Sequence, residues 1–230
     1  MTRRTKENPP RESLTIEELE RLTFDERWKL KPNDVEIARL REINAAKDRE
    51  RAERSVRLGI EEESILADLR EIGFDVKSVW DLVNTSTDYS QAIPVLLKHL
   101  LLPYSDVTRD GLARSLAVRD PQVHKAWPIL VEQYGGAPMG RGIVGPGDTK
   151  EYRLGIRDGL ACALVAAVTD ETLEELIDLV KDRAQGESRV LLLRALRRRS
   201  KKPLVEQALE DVKDDPDLKK EIASWRKRKR

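Results

Sequence analysis

Few residues in this sequence have the types and spacing that chemistry requires. The run from Gly140 to Gly145 (Gly-Arg-Gly-Ile-Val-Gly) matches the G-x-G-x-x-G pattern with which dinucleotide-binding folds hold a pyrophosphate. That chemistry needs a strand before the run and a helix at its end. Here a predicted helix precedes the run and Pro146-Gly147 follows it, so we interpret it as a flexible inserted loop with Arg141 near its centre.

The other candidate ligands and nucleophiles are isolated in the sequence. His99 and His124 are the only histidines, and neither has a second histidine three or four residues away, as a metal site on one helical face would need. Cys162 is the only cysteine and lies in the apolar run Leu-Ala-Cys-Ala-Leu, which is typical of a packed helix. We predict no catalytic residue, metal, cofactor or small-molecule substrate.

Two predicted helices, 171–183 and 203–214, carry acidic residues at every fourth position, which places them along one side of each helix. The two sets are related by an offset of 32 residues, so packing of repeated units would set them side by side. They predict a negative surface that binds a basic segment of a partner protein, although such charges can also serve only to solvate a helix. The acidic columns comprise Glu174, Asp178 and Asp182 in the first helix and Glu206, Glu210 and Asp214 in the second.

A basic block supports an alternative function. Between Arg189 and Lys202 there are seven basic residues and no acidic one, and the last five residues, 226–230, are all basic. Four of these basic residues fall within an arc of about 100° on the helix predicted at 188–200 and form a basic stripe. Such a stripe suggests contacts with the phosphates of nucleic acid or with an acidic partner, and Arg141 could add to these contacts. No aromatic residue is interleaved to stack bases, which argues against nucleic acid. The stripe comprises Arg194, Arg197, Arg198 and Lys201.

Helices must position these side chains, because apolar residues recur at intervals of three and four almost throughout. Thr15 and Glu18 form a capping box that begins a short helix to Leu22, and a long charged helix from Asp34 to Leu58 should end at Gly59. No segment alternates with a period of two, so we expect no sheet. Shorter helices are predicted at 61–72, 76–84, 90–102, 106–118, 121–134, 152–168, 171–183, 188–200, 203–214 and 217–228.

Composition narrows the class of protein further. Charged residues make up 37% of the chain, but 43 basic and 42 acidic residues nearly cancel to a net charge of +1, which favours no class of partner. A single cysteine excludes an internal disulfide, the first ten residues lack an apolar signal segment, and the longest uncharged apolar run, 160–168, is too short for a membrane span. These features predict a cytoplasmic protein without membrane contact.

The sequence contains an internal repeat. Arg109-Asp110-Gly111-Leu112-Ala113 recurs as residues 157–161, 48 residues later, and Val180-Lys181-Asp182 recurs as residues 212–214, 32 residues later. The glycine-rich segment inserted at 135–151 accounts for the difference between the two offsets. The repeating unit is therefore a pair of short helices in about 32 to 34 residues, too small to bury its apolar faces without a neighbour.

Residues 61–228 resemble HEAT-like repeat proteins of the HEAT/armadillo superfamily in three features. These are the helix-pair period, the aspartates Asp120 and Asp170 at turns between paired helices, and the helix faces rich in Leu, Ala and Val. The third such turn, Arg199 to Pro203, lacks the aspartate. The resemblance implies an all-α fold, a short right-handed α-solenoid with an N-terminal helical extension, in which the second helix of each pair lines a concave surface. An irregular helical bundle is the alternative.

We predict that the protein is a non-enzymatic interaction module, a scaffold or adaptor that binds a protein partner on the acidic columns. Some HEAT-like proteins are DNA glycosylases that use aromatic residues and an aspartate on a basic wall, but that constellation cannot be placed here, so no catalytic residue is assigned. The predicted organisation is a charged arm and long helix at 1–58, helix pairs at 59–134, a glycine-rich loop at 135–151, and helix pairs with a basic tail at 152–230.

Overall fold

A computed structural model describes residues 12–83 and 85–227, with side chains up to Trp225. The basic tail predicted at 226–230 therefore lies outside the described side chains. The chain divides into two compact units, one up to Ser55 and one from Val56 on. Helices dominate both units, which confirms the all-α class. None of the helices in the described ranges is long and apolar enough to cross a membrane.

The first unit begins with two short helices, α1 (Ile16–Arg21) and α2 (Phe24–Lys29). The predicted capping box at α1 is confirmed, since the Thr15 hydroxyl accepts from the Glu18 amide at 3.2 Å and Glu18 accepts from the Thr15 amide at 2.8 Å. Thr23 and Glu26 form a second capping box at α2, a helix that the apolar pattern did not indicate.

Helix α3 (Asp34–Glu71) runs through the position where the sequence suggested a break. The expectation of two helices separated at Gly59 is wrong: a glycine within a helix costs only about 1 kcal/mol, which a long helix tolerates. The helix ends at Gly73, as predicted, where a φ of 90° lets the Phe74 amide donate to the Leu69 carbonyl and the Gly73 amide to the Arg70 carbonyl. This pattern is a Schellman motif.

The second unit continues with short helices that are mostly shorter than predicted. The predicted helix at 121–134 is two helices, because Pro128 lacks the N–H that a continuous helix would use. Of the helix predicted at 76–84, the described part, 76–83, contains a 3₁₀ turn, Val79–Leu82, and no α-helix. The helices are α4 (Ile93–Leu100), α5 (Asp106–Ser115), α6 (Pro121–Lys125), α7 (Trp127–Gly136), α8 (Ile156–Ala167), α9 (Leu173–Lys181), α10 (Arg189–Arg198), α11 (Pro203–Asp211) and α12 (Lys219–Lys227).

The glycine-rich segment folds back on itself between α7 and α8. Its strands β1 (Arg141–Gly142) and β2 (Tyr152–Arg153) pair antiparallel, with Arg141 opposite Arg153, so the expectation that no sheet forms is wrong. The segment is fastened to the helices, because the Val107 amide donates to the Val144 carbonyl at 2.9 Å and Arg57 donates to the Pro146 carbonyl at 2.6 Å.

Within the second unit, packing joins helices that are consecutive in the chain and helices that are not. Helix α5 contacts α8, and α8 contacts α10; α9 contacts both α10 and α11. The repeated glycines lie at the closest approaches, where Gly111 faces Val79 and Trp80, and Gly159 faces Asp110. A single apolar core runs through these contacts and includes Leu112, Leu160, Leu176, Leu193 and Val205.

Candidate functional site

The two acidic helices are neighbours in the structure. Helix α9 packs against α11, and Lys181 of α9 forms a 2.7 Å salt bridge with Asp211 of α11. Each helix buries one apolar side, with Leu176 and Ile177 as examples in α9 and Val205 in α11. The carboxylates on the opposite sides of these helices are exposed. We call this set the acidic face; it comprises Glu174, Asp178, Glu206 and Glu210.

The structure does not keep all six carboxylates on these helices. Helix α9 ends at Lys181, and Asp182 turns away to cap the following 3₁₀ segment, where it accepts from the Gln185 side chain at 2.7 Å and the Ala184 amide at 3.0 Å. These hydrogen bonds, the one from Gln185 foremost, lower the pKa of Asp182. Asp214 lies past the end of α11. The prediction that each acidic column extends to a third helical member is therefore wrong.

The negative charge of the acidic face is only partly neutralised. Glu210 forms an ion pair with Lys213, three residues further on. Glu174, Asp178 and Glu206 form no ion pair with any other residue that the structure describes. Three exposed carboxylates on two adjacent helices create a local negative potential that attracts cations.

A polar contact at the edge of the acidic face holds α9 in place. The indole N–H of Trp127, which begins α7, donates to Glu175 of α9. The Trp127 ring itself is buried in the core. Because this carboxylate is engaged, Glu175 is a packing residue of α9 and is excluded from the acidic face.

Much of the basic block is neutralised within the fold. Arg189 is fully buried and donates to Asp215 at 3.1 Å and Asp217 at 2.8 Å. Lys202 forms a 2.8 Å salt bridge with Asp170, and Arg199 donates to the Val168 carbonyl at 2.9 Å. The seven basic residues that look continuous in the sequence therefore do not form one continuous positive surface.

The predicted basic stripe remains exposed, but its members have different surroundings. Arg194, Arg197, Arg198 and Lys201 are all exposed. The guanidinium of Arg197 lies 5.5 Å from the centre of the Trp225 ring, a cation–π contact. Arg194 and Arg198 line a groove of about 340 Å³.

A third arginine that the sequence reasoning missed, Arg119, lines the same groove as Arg194 and Arg198. Its position immediately before Asp120, at a repeat turn, was the signal that could have drawn attention to it. The structure does not bring Arg141 to this groove: Arg141 lies on β1, donates to the Glu151 carbonyl at 2.7 Å and lines a different cavity.

The isolated histidine and cysteine candidates are placed inside the fold. His99 is buried, with one ring nitrogen 2.8 Å from Asp68 and the other 2.8 Å from the Tyr104 hydroxyl. Cys162 is half-buried in α8, and burial raises the pKa of its thiol, which disfavours the nucleophilic thiolate. Among the described residues, no group of three or more His, Cys, Asp or Glu side chains could hold a metal ion.

Comparisons with known proteins assign no family to this chain. No family model matches it, and neither a curated protein nor a solved structure is significantly similar to it. The HEAT-like resemblance therefore stays a prediction, and the geometry above is what supports a function.

Proposed function

We propose that the protein is a non-enzymatic interaction module, a scaffold or adaptor, that binds a basic segment of a partner protein on the acidic face. The observation that carries this proposal is the adjacency of α9 and α11, which present Glu174, Asp178 and Glu206 to solvent without an ion-pair partner among the described residues. A Lys- or Arg-rich segment would supply the missing positive charge, and complementary charge also accelerates association.

The proposed architecture of the second unit is a short right-handed α-solenoid of HEAT-like helix pairs. Its support is that both repeated glycines lie at close contacts with another element, Gly111 against Val79 and Trp80 of the 3₁₀ turn and Gly159 against Asp110 and Ala113 of α5. Helices α5, α8 and α10 follow one another in contact, as the first helices of stacked pairs would. In this architecture α9 and α11 are successive second helices and line the concave surface.

Nucleic-acid binding is the less favoured function. Arg189, Arg199 and Lys202 of the basic block are engaged within the fold, and Arg197 lies on Trp225. What remains, Arg194, Arg198 and Lys201, is too short a track for the many phosphate contacts that nonspecific binding uses. We place the protein in the cytoplasm, where its single cysteine would stay reduced.

Co-purification from the native host tests the proposed function. The bait is the full chain with all four residues of the acidic face changed to Lys. The control bait carries the same charge change on exposed acidic residues of the first unit, as Asp25→Lys, Glu42→Lys, Glu50→Lys and Glu53→Lys. Circular dichroism verifies that both baits are folded.

The proposal predicts that the wild type and the control bait retain the same partner and that the acidic-face variant loses it. Recovery of the same proteins by both charge-reversed baits would show that the acidic face is not the binding site.

A further inference from the structure

The groove lined by Arg119, Arg194 and Arg198 has the composition of an anion site. Its apolar floor comes mainly from Cys162 and Val165 of α8 and Leu191 of α10. We propose that this arginine groove binds a phosphate monoester group. The site is independent of the acidic face, which lies on other helices, and involves ligands of the opposite charge.

The three guanidinium groups are not neutralised by the fold. Arg119, Arg194 and Arg198 make no hydrogen bond or ion pair with the residues that the structure describes, and the groove lining contains no acidic side chain. Their neighbour Arg114, by contrast, is paired with Asp110 at 2.8 Å. Three like charges around one apolar floor repel one another, so an anion that enters the groove relieves an unfavourable field.

Two of these arginines lie on one helix, and the third lies in the segment between α5 and α6. Arg194 and Arg198 are one turn apart on α10, whose other side is buried through Leu192, Leu193 and Leu196. Helix α8, which forms the floor, packs on both α5 and α10, and Arg119 follows α5 in the chain. The backbone positions of the site are therefore set by the core, and preorganisation of this kind reduces the cost of binding.

The chemistry of the groove favours a phosphate monoester over the phosphodiesters of nucleic acid. A monoester carries about two negative charges and three acceptor oxygens, which match several guanidinium donors, whereas a phosphodiester carries one charge. No aromatic residue lines the groove, so bases would have no stacking surface. The monoester could belong to a small molecule or to a phosphorylated side chain of another protein.

Cys162 provides a reporter inside the groove. It is the only cysteine of the chain and is half-buried among the lining residues. An anion bound above it should slow the alkylation of its thiol by iodoacetamide, which is uncharged. Because burial raises the pKa of this thiol, the reaction is followed at mildly alkaline pH.

The experiment measures the alkylation rate of Cys162 in the full chain at constant ionic strength. The probes are inorganic phosphate, free phosphoserine, and a pentapeptide with a central phosphoserine, with its unphosphorylated form as reference. The test variant is Arg119→Gln/Arg194→Gln/Arg198→Gln. The control variant, Lys29→Gln/Arg41→Gln/Arg49→Gln, loses the same charge from exposed residues outside both the groove lining and the basic stripe. The unfolding midpoint, which rises when a ligand binds the folded state, is the second readout.

The proposal predicts that phosphate or phosphoserine slows the alkylation of Cys162 at least threefold, and that this protection saturates with ligand concentration. Protection should occur in the wild type and the control variant but not in the test variant. The unfolding midpoint should rise in parallel. Protection by the phosphopeptide at tenfold lower concentration than free phosphoserine would identify a protein-borne phosphate; equal protection would identify a small phosphate ester. Absence of saturable protection together with an unchanged midpoint would overturn the proposal. So would protection by an oligonucleotide without terminal phosphate that equals protection by phosphoserine.

Discussion

Lys181 of α9 forms a 2.7 Å salt bridge with Asp211 of α11, and this pair joins the two helices that carry the acidic face. Both side chains remain well exposed, so the pair adds little to stability. The pair has a larger effect on the electrostatic potential of the acidic face. Lys181 places a positive charge three residues from Asp178, where a basic partner would bind. The ion pair thus limits the negative potential of the acidic face at one end.

Removal of this charge should strengthen binding of a basic ligand. Lys181→Gln leaves Asp211 without its cation, so we expect a Lys- and Arg-rich peptide to bind the variant two- to fivefold more tightly at low salt, with the unfolding midpoint unchanged. Fluorescence anisotropy titrations with a labelled peptide measure this, and Lys29→Gln, an exposed lysine of the first unit, is the control. Equal or weaker binding by the Lys181 variant would count against the acidic face.

The repeated glycine Gly159 should be intolerant of any side chain. A Cβ there would overlap the Asp110 carboxylate and lie 3.0 Å from its backbone carbonyl, so Gly159→Ala forces α5 and α8 apart at a cost of about 1–3 kcal/mol. Gly59→Ala is the control, because nothing lies within 4 Å and the alanine should stabilise α3 by about 1 kcal/mol. Urea unfolding of both variants gives the comparison, and two changes of the same sign would contradict this packing.

The sequence predicted the helical class, and it showed the recurrence of Gly111 as Gly159, because both depend on local pattern and repetition. It did not predict where helices end. The spacing of Asp182 matches that of the helical acids, but its carboxylate accepts from the Ala184 amide, and α9 ends two residues earlier than predicted. Competition between a side chain and the backbone for the same amide depends on the next segment, which periodicity cannot show.

The buried pair of Arg189 and Asp215 should be essential for the C-terminal helices. Asp215→Asn removes one of the two carboxylates that pair with a fully buried guanidinium, while Asp217 remains at 2.8 Å, so we expect a loss of about 1–3 kcal/mol. Arg183→Gln is the control at the same carboxylate: Arg183 lies 3.2 Å from Asp215 but is exposed, so its loss should cost less than about 1 kcal/mol. Similar losses in chemical denaturation of the two variants would exclude the buried pair as the stabilising contact.

The pair of Arg189 and Asp215 should also make the stability of the protein depend on pH in the acid range. Burial acts to raise the pKa of Asp215, but the hydrogen bonds from Arg189 and from the Asp217 amide outweigh it, so the pKa lies below its ordinary value of 3.8. A carboxylate whose pKa is lowered in the folded state stabilises the protein at pH values above its unfolded-state pKa. This stabilisation is lost as the pH falls through the folded-state pKa. Wild-type stability should therefore decline in this acid range, and Asp215→Asn should lack this part of the decline.

Asp110 should give the opposite pH dependence in a different window. Burial raises the pKa of Asp110 to about 6, although the charge and hydrogen bond of Arg114 oppose the shift. The folded state then holds a proton that the unfolded state releases near pH 3.8, so stability falls as the pH rises from about 4 to about 6. At about 1.4 kcal/mol per pKa unit, the fall is on the order of 1–3 kcal/mol. Asp110→Asn should remove this slope in urea unfolding at pH 4 to 7, and parallel curves for the two proteins would refute it.

Only some residues of the candidate surfaces could be predicted from the sequence. Glu174 and Glu206 were found because carboxylates four apart share a helix side, and the 32-residue offset related the two helices. Arg119 was missed because it meets Arg194 and Arg198 only through the packing of separate segments. Conversely, Arg189 looked like a surface charge, and only the distant Asp215 explains its burial. Contacts of this range depend on tertiary structure rather than on local periodicity.

The affinity of a basic peptide for the acidic face, measured at two salt concentrations, tests the central claim most directly. A labelled Lys- and Arg-rich peptide is titrated into the wild type, the acidic-face variant with four carboxylates changed to Lys, and the control variant at Asp25, Glu42, Glu50 and Glu53. We predict salt-sensitive binding by the wild type, retained within threefold by the control variant and weakened at least tenfold in the acidic-face variant. Equal affinities for the two charge-reversed variants, or no binding by the wild type at low salt, would contradict the claim.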